Sequence, residues 1–155
     1  MGKILVSACL LGENCKYNGS NNYNDKLVEF LQDKDVIPVC PERDGGLPSP
    51  RASVELIDNV PYDKDGNCYE AAFQRGIAVA LEAVAAEEID YAILQSRSPT
   101  CGVDRVYDGS FSGRLTEGNG RLVQALKAQG VSVYDVTEFV AEMLKEQQSC
   151  SEDVM

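Results

Sequence analysis

Three cysteines sit where apolar runs give way to loops: "KILVSAC" closes on Cys9, "VIPVC" on Cys40, and "YAIL" leads into "SRSPTCG", which carries Cys101. A thiolate is both a nucleophile and a soft metal ligand, so three of them in like positions offer a reactive thiol, a metal site, or inert packing. The chain contains no histidine, which excludes a His-assisted zinc site. It also lacks the paired Cys-x2-4-Cys spacing of structural zinc sites. An iron–sulfur cluster is held by thiolates alone and tolerates ligands far apart in sequence. Cys15 is a possible fourth ligand, but it precedes the flexible stretch "KYNGSNN" and ranks below the other three. Cys68 and Cys150 read as small buried hydrophobes outside this group.

The elements that must position these residues follow from the hydrophobic pattern. "KILVSA" (3–8), "VIPVC" (36–40), "YAILQS" (91–96) and "VSVYD" (131–135) are short apolar runs bounded by turn formers, the mark of buried strands. "YNDKLVEFLQDK" (23–34) spaces Leu27, Phe30 and Leu31 as a helix does, with Asn24 as its N-cap. Helices are also expected over 68–88, 116–130 and 136–148, and a minor strand at 54–57. Strands that alternate with helices make a parallel sheet. The expectation is therefore a single-domain α/β fold over 1–148, an open, mostly parallel, Rossmann-like sheet with helices on both faces, followed by a disordered tail at 149–155. In such a sheet, residues just past the strands' carboxyl ends gather along one edge, where ligands bind at the topological switch point. Cys9, Cys40 and Cys101 should meet there.

Bulk properties narrow the partner. A formal net charge of −11 argues against macromolecular nucleic acid and anionic membranes, which are bound largely through Lys and Arg. No apolar stretch approaches the roughly 20 residues of a membrane span, and the N-terminus has no signal-peptide layout. A cytoplasmic protein with a small-molecule partner is expected. Lys16, Arg43, Arg51, Arg97 and Arg105 nevertheless fall in or near the loops after the cysteine-ending runs, so a local cationic patch is compatible with the acidic body.

Three motifs, "SACLLG" (7–12), "CPERDGGLPSPR" (40–51) and "SRSPTCG" (96–102), taken together and in this order, closely resemble those of the thiouracil desulfurase, or thiouridine desulfidase, family. The resemblance runs over nearly the whole chain. It implies a [4Fe-4S] cluster held by Cys9, Cys40 and Cys101, with a fourth iron left open to the sulfur of a thiolated uracil or its nucleoside or nucleotide. It also implies Glu42 as the catalytic acidic residue and Ser98 as the catalytic serine.

The residues admit this chemistry on their own terms. A thiocarbonyl carbon becomes more electrophilic when its sulfur meets a Lewis acid. Glu42, two residues beyond Cys40, could activate water as a general base, and Ser98 could relay a proton or orient the substrate. Products would be the carbonyl compound and sulfide, with no redox change. "GGLPSPR" (45–51) could shape the pocket through the amides of Gly45 and Gly46 and the side chain of Arg51, or could be a plain structural loop. Against the desulfurase stand an iron–sulfur or sulfide carrier, a thiol-redox enzyme, disfavoured without a Cys-x-x-Cys pair, and a nucleotide-binding module, disfavoured without a Gly-rich phosphate loop after the first strand.

Overall fold

The computed structural model describes residues 2–153. In chain order its elements are β1 (Lys3–Ser7), a 3-10 turn (Ala8–Leu11), α1 (Asp25–Leu31), β2 (Val36–Val39), α2 (Pro41–Asp44), β3 (Val54–Ile57), β4 (Val60–Asp63), α3 (Glu70–Ala86), β5 (Ile89–Leu94), β6 (Arg105–Tyr107), β7 (Leu115–Glu117), α4 (Arg121–Ala128), β8 (Val133–Asp135) and α5 (Val136–Asp153). The main sheet has the order β2-β1-β5-β8, and every pairing in it is parallel. The chain leaves β1 toward one side to form β2 and returns on the other to form β5. A crevice therefore opens at the carboxyl ends of β1 and β5.

Period-two alternation along the central strands divides the core into two layers. Leu5, Ala92 and Leu94 pack with Phe73 and Ile77 of α3 and Leu122 and Leu126 of α4. Their neighbours Ile4, Val6 and Ile93 pack with Leu27 and Leu31 of α1 and Val136 of α5. Helices thus cover both faces, as expected. Asn24 caps α1 as its residue type dictates, its side-chain oxygen accepting from the Leu27 amide at 3.0 Å.

Two antiparallel hairpins depart from the sequence reading. The expected minor strand, β3, pairs with β4, and β6 pairs with β7. The helix expected from 116 begins only at Arg121, because Leu115–Glu117 are drawn into β7 and Gly118 and Gly120 interrupt the pattern. The first turn of α4 is capped from outside: Arg121 N–H donates to Pro99 O at 2.8 Å and Leu122 N–H to Thr100 O at 3.0 Å. The loop carrying Cys101 is thereby fastened to a helix end. The closing helix continues past 148, since "EQQSCSE" holds no Gly or Pro to stop it. The last two positions of the expected tail lie outside the described residues.

The glycine inside α3 has a specific cause. A Cβ on Gly76 would collide with Pro41 O, and one on Gly45 would collide with Ala72 O. Small residues let α2 lie backbone-to-backbone on α3, which fixes the segment from Cys40 to Glu42. Gly76→Ala is therefore expected to destabilise by about 3 kcal/mol, a loss of roughly 6–12 °C in Tm, through overpacking. Helix propensity alone gives the opposite sign, a gain of about 1 kcal/mol. Thermal melts of the two proteins decide between them.

Candidate active site

At the switch point lies a cavity of about 610 Å³ whose lining includes Cys9, Cys15, Cys40, Glu42, Ser98 and Cys101. Each expected cysteine arrives on a different support. Cys9 sits in the 3-10 turn after β1, which ends at Gly12 in a left-handed conformation (φ 96°). Cys40 leaves β2 and immediately precedes α2, its amide held by Asp44 Oδ2 at 3.1 Å. Cys101 follows β5 in the loop that α4 secures. Ser98 shapes that loop, its Oγ accepting from the amides of Thr100 at 3.1 Å and Cys101 at 3.0 Å.

The thiols share one electrostatic neighbourhood. Cys9 is held below the ordinary thiol range, chiefly by a hydrogen bond from Cys15 and also by Asn22, whose Nδ2 lies 3.4 Å from Cys9 Sγ. The bond with Cys15 and burial push Cys40 up. Burial raises Cys101 to about 12 against opposing hydrogen bonds from Ser7 and Thr100. Cys15 is pulled down by its bond with Cys40, but the bond to Cys9 and burial outweigh this and carry it up to about 11. At 2% exposure, Cys15 belongs inside the thiol group rather than in the open loop its sequence context suggests. Cys68 is exposed, just ahead of α3, and does not line the cavity, so it is no core hydrophobe. The side chain of Cys150 lies outside the described residues.

The donor set is thiolate only. Among the described residues, no three Cys, Asp or Glu side chains converge as the ligands of a single ion do. Thiolates that bind separate irons of a cluster need no such common point, so a cavity walled by Cys9, Cys40 and Cys101 fits a cluster better than a mononuclear metal.

A model of the family described as 2-thiouracil desulfurase matches residues 4–138. The chain belongs to that family. It is 32% identical over 145 residues to the uncharacterized protein YbbK of Bacillus subtilis (strain 168), an alignment covering 87% of this chain and 96% of that one. Among solved structures, the [4Fe-4S]-dependent thiouracil desulfidase TudS matches with a TM-score of 0.84 at 33% identity, over 94% of this chain and 99% of that one.

In this member of the 2-thiouracil desulfurase family, Glu42 is buried between Arg51 and Thr100. Its Oε1 lies 3.4 Å from Arg51 Nη2, and its Oε2 accepts from Thr100 Oγ1 at 3.3 Å. Burial raises its pKa, while the Arg51 charge and both hydrogen bonds oppose the rise. Ser98 Oγ lies 3.0 Å from Thr100 Oγ1. Because the Ser98 oxygen already accepts two amides, its own hydrogen is the one directed to Thr100, whose single hydroxyl hydrogen faces Glu42 Oε2 at 3.3 Å and Cys101 Sγ at 3.7 Å; directed to the nearer acceptor, it completes a hydroxyl chain from Ser98 through Thr100 to Glu42. Sequence reasoning misses Thr100. Its place beside Cys101 is visible there, but its 58-residue leap to Glu42 is not.

The three expected substrate contacts, Gly45, Gly46 and Arg51, are placed differently with respect to the cavity. Neither glycine lines the cavity, and their amides are spent within the α2 turn, on Pro41 O and Arg43 O, both at 2.9 Å. Arg51 does reach the cavity wall, but its side chain is only 6% exposed. Its Nη1 donates to Pro48 O and Ser49 Oγ and its Nη2 to Cys15 O, so beyond the Glu42 contact only the buried Nε lacks a partner. Arg51 is a brace joining the thiol loop to Glu42. Of the expected cationic patch, Lys16, Arg51 and Arg97 line the cavity, whereas Arg43 is engaged with Glu13 and Asp44. Among the described residues, no helix is long and apolar enough to cross a membrane.

Proposed function

We propose that this protein removes sulfur from a small thiolated pyrimidine by hydrolysis, with a [4Fe-4S] cluster held by Cys9, Cys40 and Cys101. The observation that carries this reading is the meeting of three thiols and one buried carboxylate in a single cavity, in a chain of the 2-thiouracil desulfurase family. When bound, the cluster supplies a Lewis-acidic iron with an affinity for soft sulfur. Glu42 takes a proton from a water molecule as that water's oxygen bonds to the thiolated ring carbon. The carbon–sulfur bond then breaks, sulfur leaves as sulfide, and the ring retains a carbonyl. Water and thiocarbonyl together account for every atom of carbonyl and hydrogen sulfide, and no electron carrier is needed. Arg51 keeps Glu42 aimed and its charge balanced. The Ser98–Thr100 hydroxyl chain returns a proton toward the leaving sulfur or orients the ring.

The test is protein purified and reconstituted without oxygen, assayed for iron, sulfide and release of uracil from 2-thiouracil, 4-thiouracil and their nucleosides and nucleotides. About four irons per chain with uracil release is expected. A fully loaded protein that turns over none of these substrates refutes the desulfurase and leaves a sulfide carrier. The hydroxyl chain is tested separately. Thr100→Val keeps shape but removes the link from Ser98 to Glu42, and should lower turnover with iron retained. Ser98→Ala should lower turnover and also Tm, because two amide caps worth about 1 kcal/mol each are lost.

A further inference from the structure

One wall of the cavity has no part in the chemistry above. It is built from Glu55 on β3 and from Tyr107 and Phe111 of the β6–β7 hairpin. Glu55 is 7% exposed and forms no ion pair among the described residues. Its Oε1 instead accepts two backbone amides from the hairpin tip, Gly109 at 3.0 Å and Phe111 at 3.2 Å. Hydrogen bonds from amides to a carboxylate are among the stronger protein hydrogen bonds, so one acidic side chain fastens the tip at two points. The fit is close: a Cβ on Gly109 would stand 2.9 Å from both Leu56 O and Ile57 Cγ1. Phe111 itself has φ 56°, a left-handed conformation that a bulky residue adopts only when its surroundings impose it. The chain thus holds an aromatic residue in an unfavourable backbone state in order to place it in the cavity wall. Among the described residues, neither the Phe111 ring nor the Tyr107 ring packs against another aromatic ring.

We propose that Phe111 is the surface on which the substrate's pyrimidine ring stacks, and that Glu55 is the positioning residue that keeps it there. The inference rests on the desulfurase reading for the identity of the ring, a flat π-system whose faces any aromatic side chain can meet. Stacking against Phe111 holds the ring in the same plane before and during attack, so the contact acts chiefly on binding.

The chain contains no tryptophan, so Phe111→Trp supplies a sole indole reporter at the proposed contact. In cluster-loaded, full-length protein, the emission of that variant should change saturably on titration with uracil, the reaction product. Adding Glu55→Ala should abolish that change, and Glu55→Gln, which keeps an acceptor oxygen at the same reach, should restore much of it. Trypsin gives a second readout. Arg114, exposed just beyond the tip, should be cut faster in Glu55→Ala than in wild type. In turnover of thiouracil, Phe111→Ala should raise KM by about 5- to 150-fold, the range of base–aromatic stacking, with a much smaller change in kcat, and Phe111→Tyr should restore it. An unchanged KM in Phe111→Ala, or indole emission of Phe111→Trp that is indifferent to uracil, overturns the stacking role. Equal tryptic rates at Arg114 overturn the latch. If wild-type protein turns over no thiolated pyrimidine, the reaction reading fails by that result alone, and the uracil titration still decides whether Phe111 meets a pyrimidine.

Discussion

Glu42→Gln is expected to keep its iron and lose about 10²- to 10⁴-fold in uracil release from thiouracil, because an amide cannot take the proton from water. Glutamine retains the size of the side chain and an oxygen for Thr100, so the walls of the cavity should keep their shape. Stability will not be untouched, however. Arg51 is buried and loses its counter-charge, and breaking a buried pair by removing one partner costs up to about 3–5 kcal/mol. Sequence alone suggests a silent substitution in this respect, and the Arg51 contact changes that. The rate must therefore be compared well below the variant's Tm, with circular dichroism showing it folded. A folded, iron-loaded Glu42→Gln protein that retains wild-type turnover removes the general base from the mechanism.

Alanine at Cys9, Cys40 or Cys101 is expected to abolish cluster loading, whereas Cys15→Ala should retain most of the iron. The measurement is iron per chain after anaerobic reconstitution. The second half is the sharper test, since Cys15 is as buried as the others and its carbonyl accepts from Cys40 Sγ at 3.7 Å. If Cys15→Ala loses iron as completely as the other three, the cluster has four protein ligands and no iron is left for sulfur. If it keeps iron, the role of Cys15 is to donate to and pack beside thiolates that bind.

The four parallel strands are legible in the sequence because each is an apolar run between turn formers, and a parallel sheet sends the ends of such runs to one edge. This is why Cys9, Cys40 and Cys101 can be grouped from their positions, whereas Glu42 and Ser98 come from the resemblance of their motifs to the desulfurase family. What escapes depends on partners distant in the chain. The strands β6 and β7 are three residues each, too short for a period to register, so the wall carrying Phe111 reads partly as loop and partly as helix. Gly45 and Gly46 look like flexible loop residues until the backbone of α3 is seen against Gly45. Arg51 looks like a free cation because its sequence neighbours do not reveal that Glu42 and the Cys15 carbonyl enclose it. Thr100 is hidden by its more reactive neighbours.

The brace formed by Arg51 has a bearing on how such a pocket can be altered. A side chain tied to Pro48, Ser49, Cys15 and Glu42 at once cannot be exchanged without disturbing both the thiol loop and the carboxylate. A change at Arg51 will therefore be felt as lost function before it is felt as altered preference. Tyr17, Lys64 and Tyr107 line the same cavity without any such shared duty toward the cysteines. A designer seeking to admit a larger or differently charged pyrimidine should begin with those three positions and leave the arginine alone.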